Sequence, residues 1–204
     1  MPLPRCNTYI IGIDEAGRGP LAGPVVVAAI RASHEIGRLL RRRGIRDSKK
    51  LSVKQREEWW GFLTSHPQIK WSVSRVWPRV IDRINIAEAA NLGARRVCAK
   101  LIFPPEKPSF VETILLDGGL VLPKYFPHEV IIKGDEKIPA IAAASIIAKV
   151  TRDRIMLRFH KKYPQYRFDL HKGYGTRLHL EMMRLHGCSL FHRISFRPVA
   201  QFVR

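Results

Sequence analysis

Cysteine is scarce in this chain, which has only Cys6, Cys98 and Cys188. Their number is odd, they lie far apart, and none belongs to a Cys-x-x-Cys pair, so neither a disulfide framework nor a thiolate zinc site is indicated. This pattern favours a reducing cytoplasm. A zinc site formed by His186, Cys188 and His192 is an alternative, but the spacing matches no common ligand pattern. Packing and hydrogen bonding explain these side chains better.

Long apolar runs and acidic residues are also scarce. No apolar run approaches the roughly 20 residues that a membrane-spanning helix needs. Pro2, Pro4, Arg5 and Asn7 stand where a secretory signal would need a continuous apolar core, so we expect neither membrane insertion nor export. The 17 acidic residues are outnumbered by 36 lysines and arginines, which gives a formal charge of +19. This excess is spread along the chain and indicates a folded protein that binds a polyanion.

The chain is long enough for one well-buried core, with 204 residues of which 46% are hydrophobic. We predict a single domain over residues 1–204, in which a basic C-terminal extension of helix and loops covers about 164–204. No internal repeat or low-complexity linker divides the chain. Because no apolar surface stripe is left once the core is assigned, we expect a monomer.

Apolar runs and capping residues predict an α/β fold. The predicted strands cover Tyr9 to Ile13, Val25 to Ile30, Trp71 to Val76, Thr113 to Leu116 and Glu129 to Ile132. The predicted helices cover Glu35 to Arg43 and Pro139 to His160, and two more follow the capping box of Ser52 and Gln55 and the cap at Asn85. The first three strands suit an antiparallel meander. The alternation of strands and helices that follows favours a mixed sheet with helices on both faces.

Two adjacent acids, Asp14 and Glu15, follow the first predicted strand and precede Gly17-Arg18-Gly19. In a regular strand, neighbouring side chains point to opposite faces. Both acids can serve one site only if the strand ends before them, and the two glycines supply the backbone freedom for such a turn. Taken alone, the acid pair is explained as well by an ordinary polar turn after a strand.

Asp14, Asp117 and Asp135 each follow a predicted strand, and sites in such sheets form beyond the carboxyl ends of strands. Several carboxylates in a small volume raise one another's pKa unless a cation is present. Oxygen ligands favour Mg²⁺ or Mn²⁺ over zinc, and Mg²⁺ commonly binds phosphate oxygens as well. The sequence therefore predicts a divalent metal site for phosphodiester chemistry, in which two metal ions can activate water and stabilise the leaving oxygen.

Seven motifs carry a resemblance that spans nearly the whole chain. They are Asp14 to Pro24, Asp47 to Leu51, Asp117-Gly118, Lys133 to Asp135, Ala142 to Val150 with Arg152-Asp153, His171 to Thr176 and His192 to Phe196. In this order they are similar to the bacterial type 2 ribonucleases H, the ribonuclease HII family.

The resemblance implies a ribonuclease H-like fold, in which a mixed five-stranded sheet is flanked by helices and followed by a C-terminal helical extension. It implies an endonuclease that uses Mg²⁺ or Mn²⁺ by a two-metal-ion mechanism. The implied substrates are RNA/DNA hybrids and duplex DNA with a single embedded ribonucleotide. Incision 5′ of the ribonucleotide would leave a 3′-hydroxyl and a 5′-phosphate and would serve ribonucleotide removal from DNA.

The family's four metal-binding acids correspond to Asp14, Glu15, Asp117 and Asp135. Asp153 is not assigned to this set, because it lies well inside the long predicted helix and is better explained as the partner of a neighbouring basic residue.

The family's glycine-arginine-glycine element corresponds to Gly17, Arg18 and Gly19, whose backbone would hold the ribose 2′-hydroxyl and the neighbouring phosphate. A 2′-hydroxyl distinguishes RNA from DNA, and reading it requires the close backbone approach that glycine permits. Tyr174 corresponds to the family's tyrosine, which stacks on the sugar of the following deoxynucleotide. The expected phosphate contacts are Lys49 and Lys172, with Lys149 as a third candidate.

Two competing interpretations remain at this stage. The sister type 3 enzymes share the fold but carry an extra N-terminal domain and lack the glycine-arginine-glycine element. A basic, non-catalytic nucleic-acid-binding protein of the same fold is the second, and the four acids in their family positions argue against it. Residues Ala200 to Arg204 lack the spaced aromatic pair of a sliding-clamp peptide, so no clamp partner is expected.

Overall fold

The computed structural model describes residues 9–45, 48–102 and 112–202. Several features interpreted above lie outside these residues, namely the N-terminal prolines, Cys6, Asp47, Val203 and Arg204. In the described ranges, no helix combines the length and the apolar character that a bilayer crossing needs.

One mixed sheet forms the centre of the molecule. Its strands are β1 (Tyr9–Ala16), β2 (Val25–Ser33), β3 (Lys70–Val76), β4 (Glu112–Asp117) and β5 (His128–Ile131). They lie in the order β3-β2-β1-β4-β5. β2 is antiparallel to both of its neighbours, β1 and β3, whereas β4 is parallel to both β1 and β5. The predicted meander and the mixed sheet are both confirmed.

Helices cover the sheet and form most of the C-terminal part. Those of the described residues are α1 (His34–Arg42), α2 (Val53–Ser65), α3 (Pro78–Ile84), α4 (Ile86–Ile102), α5 (Gly134–Lys137), α6 (Pro139–Lys162), α7 (Phe168–His171), α8 (Arg177–His186) and α9 (Arg197–Ala200). Short 3₁₀ turns cover Ser48–Lys50 and Pro164–Tyr166.

Local capping explains where two of the predicted helices begin. The Ser52 hydroxyl accepts from the Gln55 N–H at 3.2 Å, and the Gln55 side chain accepts from the Ser52 N–H at 2.9 Å, which is the predicted capping box at α2. The Asn85 side chain accepts from the N–H groups of Ala87 and Glu88 at 2.9 and 3.0 Å and so begins α4. These side chains satisfy N–H groups that have no partner within the helix.

Two apolar layers sandwich the sheet. Alternate residues of β2 pack into each, so Val27 contacts the layer with α4 and Val26 the layer with α6. Helix α6 lies so close to β1 that a Cβ on Gly12 would stand 2.3 Å from the carbonyl carbon of Ala140. Glycine is therefore required where α6 crosses β1, the central strand. The two apolar layers agree with the prediction of helices on both faces of the sheet.

The predicted end of the first strand is wrong. β1 continues through Asp14 and Glu15 to Ala16, because β2 pairs with it over its whole length, with Ala16 opposite Val26. The sequence analysis also missed α3, which begins at Pro78, and the single-turn helix α5. Turns this short carry no periodic pattern that a sequence could show.

Candidate active site

Three parallel strands bring acids to one edge of the sheet. Asp14 lies near the end of β1, Asp117 is the last residue of β4, and Asp135 lies in α5, just after β5. The register pairs Ile13 with Leu116, so Asp14 and Asp117 follow neighbouring residues of the β1–β4 ladder. Asp14 and Asp135 are each only 5% exposed. Asp14, Asp117 and Asp135 thus lie at the carboxyl edge of the sheet, although the first strand does not end early.

The surroundings of Asp14 strongly perturb its carboxyl group. Burial raises its pKa well above the ordinary value, and the charges of Glu15 and Asp117 raise it further. Hydrogen bonds from the Ser145 side chain and from the Glu15 N–H, which is 2.7 Å from Oδ1, act in the opposite direction. The free protein therefore holds this carboxyl in a setting that disfavours its charged form.

Glu15 shares the site although it follows Asp14 directly in a strand. Burial raises the pKa of Glu15, whereas the hydrogen bond and the charge of Arg18 lower it and the charge of Asp117 raises it. Arg18 Nη1 lies 3.1 Å from Glu15 Oε1 and 2.8 Å from the Gly119 carbonyl oxygen. Glu15 Oε2 is buried and has no hydrogen-bond partner. One oxygen of Glu15 is thus held by arginine while the other is left available.

A tight turn after β5 orients Asp117. Asp117 Oδ1 accepts from the Gly134 N–H at 2.7 Å. A Cβ on Gly134 would stand 2.6 Å from Cδ1 of Ile141 and 3.3 Å from that same Oδ1, so a side chain has no room there. Lys133, just before, adopts the left-handed conformation with φ of 54°. The Lys133-Gly134-Asp135 motif therefore shapes the site as well as supplying an acid.

The turn at Ser48–Lys50 is fastened to the same edge. Ser48 Oγ lies 2.8 Å from Ser145 Oγ, the buried serine of α6 that also bonds Asp14. Lys49 Nζ lies 3.4 Å from Asp135 Oδ2. The structure thus places Lys49 against the acid cluster, and its side chain is 77% exposed, so it also faces solvent.

The acid cluster was tested for its fit to a metal ion. No three His, Cys, Asp or Glu side chains in the described part of the chain are gathered closely enough to form a metal-binding set. The donor chemistry nevertheless fits a hard divalent cation, because the donors are carboxylate oxygens, Glu15 Oε2 has no partner, and like charges surround Asp14. A cation would offset the cost of burying these charges together.

Two buried arginines hold the loop that follows β1. Arg193 donates to the carbonyls of Gly17, Arg18 and Gly23 at 2.6, 2.8 and 3.0 Å. Arg152 donates to the carbonyls of Ala22, Pro24 and Lys172 at 3.0 to 3.2 Å. Burial is the main cause that lowers the pKa of both guanidinium groups. The loop backbone is therefore fixed from inside by charged donors.

The two glycines of this loop differ. Gly17 has φ of 96°, and a Cβ there would stand 2.1 Å from Arg152 Nε, so packing alone demands glycine. Gly19 is exposed, and a Cβ there would meet no atom within 4 Å. No neighbouring atom in the free protein therefore requires glycine at this second position.

Tyr174 lies on an exposed loop that packs against the loop after β1. Its ring is 5.8 Å from the Arg152 guanidinium, and its side chain is partly open to solvent. The Gly173 carbonyl accepts from the Leu21 N–H at 2.8 Å, and a Cβ on Gly173 would stand 2.6 Å from the Ala22 carbonyl oxygen. The two predicted substrate elements are thus neighbours in space.

Lys172 and Lys149, the other two candidates for phosphate contacts, bond to groups within the protein. Lys172 Nζ donates to the Asp169 carbonyl. Lys149 Nζ lies 2.9 Å from Asp153 Oδ1, one helical turn away. The interpretation of Asp153 as the partner of a neighbouring basic residue is confirmed, and neither lysine points to an unsatisfied site.

Sequence reasoning missed how a histidine network supports the Tyr174 loop. His179 Nδ1 is 2.9 Å from the Tyr174 carbonyl, and its Nε2 is 3.1 Å from His192 Nε2. His192 Nδ1 accepts from the Ser189 N–H at 2.9 Å. These contacts confirm hydrogen bonding and packing over the zinc alternative. In the sequence, the signal for this network was the polar character of two histidine-containing motifs, His171 to Thr176 and His192 to Phe196.

The comparisons with known proteins agree with this architecture. The family model described as Ribonuclease HII matches residues 11–199. The ribonuclease HII of Coxiella burnetii (strain Dugway 5J108-111) is 43% identical over 195 residues, which are 96% of this chain and 91% of that protein. The ribonuclease HII of Chlamydia pneumoniae is 45% identical over 194 residues, 95% of this chain and 86% of that protein.

A solved structure supports the fold as well. The crystal structure of ribonuclease H2 from Pyrococcus horikoshii OT3 aligns with a TM-score of 0.73 at 26% identity, covering 96% of this chain and 97% of that one. The predicted ribonuclease H-like fold, with its mixed five-stranded sheet, is confirmed. The chain belongs to the ribonuclease HII family and is a nuclease with ribonuclease H activity.

Proposed function

We propose that this nuclease is a divalent-metal-dependent endonuclease that cleaves the RNA strand of RNA/DNA hybrids and incises duplex DNA 5′ of a single embedded ribonucleotide. Incision would leave a 3′-hydroxyl and a 5′-phosphate and would begin ribonucleotide removal from DNA. The position of Arg18 carries the proposal, because Arg18 links the acid cluster to the exposed loop of Gly17 and Gly19. Its side chain binds Glu15, and its backbone is part of that loop. The groups for chemistry and those for ribose recognition are thus joined in one site.

Asp14, Glu15, Asp117 and Asp135 are the residues that would hold Mg²⁺ or Mn²⁺. When bound, two such ions supply an activated water and charge stabilisation for the leaving oxygen. The protein's own part is to orient the carboxylates, as the Gly134 N–H does for Asp117. Burial of Asp14 and Glu15 also keeps bulk water from screening the charges in the site.

Ribose recognition is assigned to Gly17, Arg18 and Gly19. The support for this assignment is the open space at Gly19, where a sugar can approach the backbone as closely as the absence of a Cβ allows. Backbone N–H groups there can bind a 2′-hydroxyl oxygen or a phosphate oxygen. A deoxynucleotide would leave the first of these bonds unmade, and this difference is the source of selectivity for RNA.

Tyr174 is assigned the stacking role on the sugar that follows the ribonucleotide, which its exposure beside the glycine loop supports. Lys49, close to Asp135 and open to solvent, is assigned a phosphate contact. Lys172 is the weaker candidate for such a contact, because its ammonium already donates to a backbone carbonyl.

Cleavage of a DNA duplex with one ribonucleotide tests the proposal, with an all-DNA duplex and an RNA/DNA hybrid as controls, in Mg²⁺, Mn²⁺ and chelator. Metal-dependent incision 5′ of the ribonucleotide is expected, and Asp14→Asn should abolish it while much of the duplex binding remains. Cutting of the hybrid alone would remove the single-ribonucleotide part of the proposal. Binding without cutting in any metal would support the non-catalytic interpretation.

A further inference from the structure

Arg193 is fully buried, and its guanidinium binds the loop that carries the glycine-arginine-glycine element. Nε donates to the Gly23 carbonyl at 3.0 Å, Nη1 to the Arg18 carbonyl at 2.8 Å and Nη2 to the Gly17 carbonyl at 2.6 Å. Its own N–H donates to the Leu21 carbonyl at 2.8 Å. No carboxylate in the described ranges forms a salt bridge with it, so these carbonyls compensate its burial.

These carbonyl contacts also determine where the neighbouring N–H groups point. In a trans peptide unit, the C=O of one residue and the N–H of the next are coplanar and point in opposite directions. The Gly17 carbonyl shares its unit with the Arg18 N–H, and the Arg18 carbonyl shares its unit with the Gly19 N–H. Because both carbonyls point inward to Arg193, both N–H groups point away from it, toward the exposed side of the loop.

We propose that Arg193 is a positioning residue for ribose recognition, which holds two successive carbonyls inward so that the N–H groups of Arg18 and Gly19 face the ribonucleotide together. The inference rests on the proposed function, since it assigns a cause to the geometry of the same loop. Arg193 does not touch the nucleic acid, because it is buried beneath the loop.

Arginine suits this role in shape and in charge. Its planar guanidinium presents several donors in a fixed fork, whereas lysine has one compact ammonium group. Burial lowers the pKa of Arg193 to about 9, which leaves it charged at neutral pH. The positive charge lies directly behind the two N–H groups and strengthens their attraction for a phosphate or a hydroxyl oxygen. Arg152 repeats the arrangement on the carbonyls of Ala22, Pro24 and Lys172.

The test compares Arg193→Lys with Arg184→Lys, an exposed arginine of α8, as the matched control. Both variants keep the charge. Dissociation constants are measured in the Asp14→Asn background, so that the nucleic acid stays intact, for a duplex with one ribonucleotide and for the same all-DNA duplex. The preference, which is the constant for the all-DNA duplex divided by that for the ribonucleotide duplex, should fall by about twofold to tenfold in Arg193→Lys, the range expected for one lost neutral hydrogen bond, and should not change in the control.

A merely structural role would lower the thermal midpoint and would weaken binding to both duplexes alike. An unchanged ratio in a folded Arg193→Lys protein would overturn the inference. If the parent protein fails to cut the ribonucleotide duplex and shows no preference for it, the proposed function fails, which is a different result.

Amide hydrogen exchange on the Asp14→Asn protein decides the case if Arg193→Lys does not fold. The Arg18 and Gly19 amides should exchange readily in the free protein and become protected when the ribonucleotide duplex binds, with less protection from the all-DNA duplex. Equal protection by both duplexes, or none by either, would overturn the inference.

Discussion

At the scale of single residues, the burial of Asp14 opposes the stability of the fold. It is buried next to Glu15 and Asp117, whose charges raise its pKa further, so ionising it costs folding free energy. The sign follows from the direction of the shift. A carboxyl whose pKa is raised in the folded protein stabilises the fold while protonated, and that stability is lost as the pH rises from the ordinary value through the raised one.

Asp14→Asn should therefore raise the thermal midpoint of the metal-free protein at neutral pH, because asparagine cannot ionise. Mg²⁺ should stabilise the parent protein, by about 2.7 kcal/mol at one hundred times its dissociation constant, and the variant much less. Thermal unfolding with chelator and with graded Mg²⁺ measures both effects. An equal response of the two proteins to Mg²⁺ would exclude Asp14 as a ligand.

Gly17 and Gly19, in the loop after β1, allow a second test at this scale. Gly17→Ala should destabilise the fold by more than about 1 kcal/mol, since it combines positive φ with a clash against Arg152. Gly19→Ala should leave stability within about 0.5 kcal/mol of the parent, because its Cβ meets open space.

The same Gly19→Ala protein should nevertheless lose at least about tenfold in kcat/KM on the single-ribonucleotide duplex, or about 1.4 kcal/mol, because a methyl group would separate the backbone from the sugar. Denaturant unfolding and cleavage kinetics on one preparation check the pair of outcomes. Full activity in Gly19→Ala would move ribose recognition away from this loop.

At the scale of elements, the C-terminal extension supports the site. The Leu21 N–H donates to the Gly173 carbonyl and the Gly23 N–H to the Phe191 carbonyl, each at 2.8 Å. A bridge pairs Ala22 with His192. The loop after β1 therefore lies between two segments that are about 150 residues or more away in sequence, and it cannot take its shape without them.

The histidines of this extension predict an acid-sensitive fold. Burial lowers the pKa of His179 to about 3 and that of His192 to about 4, so both are neutral in the folded protein. The unfolded chain binds protons near the ordinary value of about 6.5. Stability is thus fully present above about pH 6.5 and is lost as the pH falls toward 4, by up to about 1.4 kcal/mol per pH unit for each histidine.

His179→Asn should lower the free energy of unfolding at pH 7.5 by about 1 to 3 kcal/mol, because His192 loses the acceptor of its buried Nε2–H. It should also flatten the loss of stability between pH 6.5 and 4. The exposed His34 supplies the control variant His34→Asn, which should do neither. Urea unfolding across this pH range measures both proteins, and an unchanged slope in His179→Asn would contradict the assignment.

At the scale of the whole molecule, a strongly basic chain carries an acidic candidate site. The formal charge of +19 attracts a nucleic acid backbone, and such binding weakens as salt rises because counterions are released. The proposed selectivity has a different origin, since a 2′-hydroxyl is neutral. Affinity and selectivity should therefore respond differently to salt.

Duplex affinity of the Asp14→Asn protein should fall at least about tenfold between 50 and 200 mM salt, which corresponds to about two phosphate contacts. The ratio of affinities for ribonucleotide-containing and all-DNA duplexes should stay constant over this range. Fluorescence anisotropy at several salt concentrations measures both quantities. A ratio that collapses with salt would assign the selectivity to charge.

The candidate acids and most of the fold could be predicted from the sequence, because these features depend on local patterns. Apolar alternation marked the strands, the capping box at Ser52 marked α2, and the acids after Leu116 and near Gly134 marked the carboxyl edge. The monomeric state, the absence of a clamp partner and the cytoplasmic location stay predictions.

The way in which the site is held together depends on long-range packing. Strand pairing carries β1 through Asp14 and Glu15, and a distant arginine, Arg193, turns the carbonyls of Gly17 and Arg18 inward. Such contacts join residues about 175 positions apart, and their energy depends on burial and direction, which no local pattern encodes. Local patterns thus identify the chemical groups of the chain, whereas the packing of the extension against the loop after β1 sets the direction of the groups in that loop.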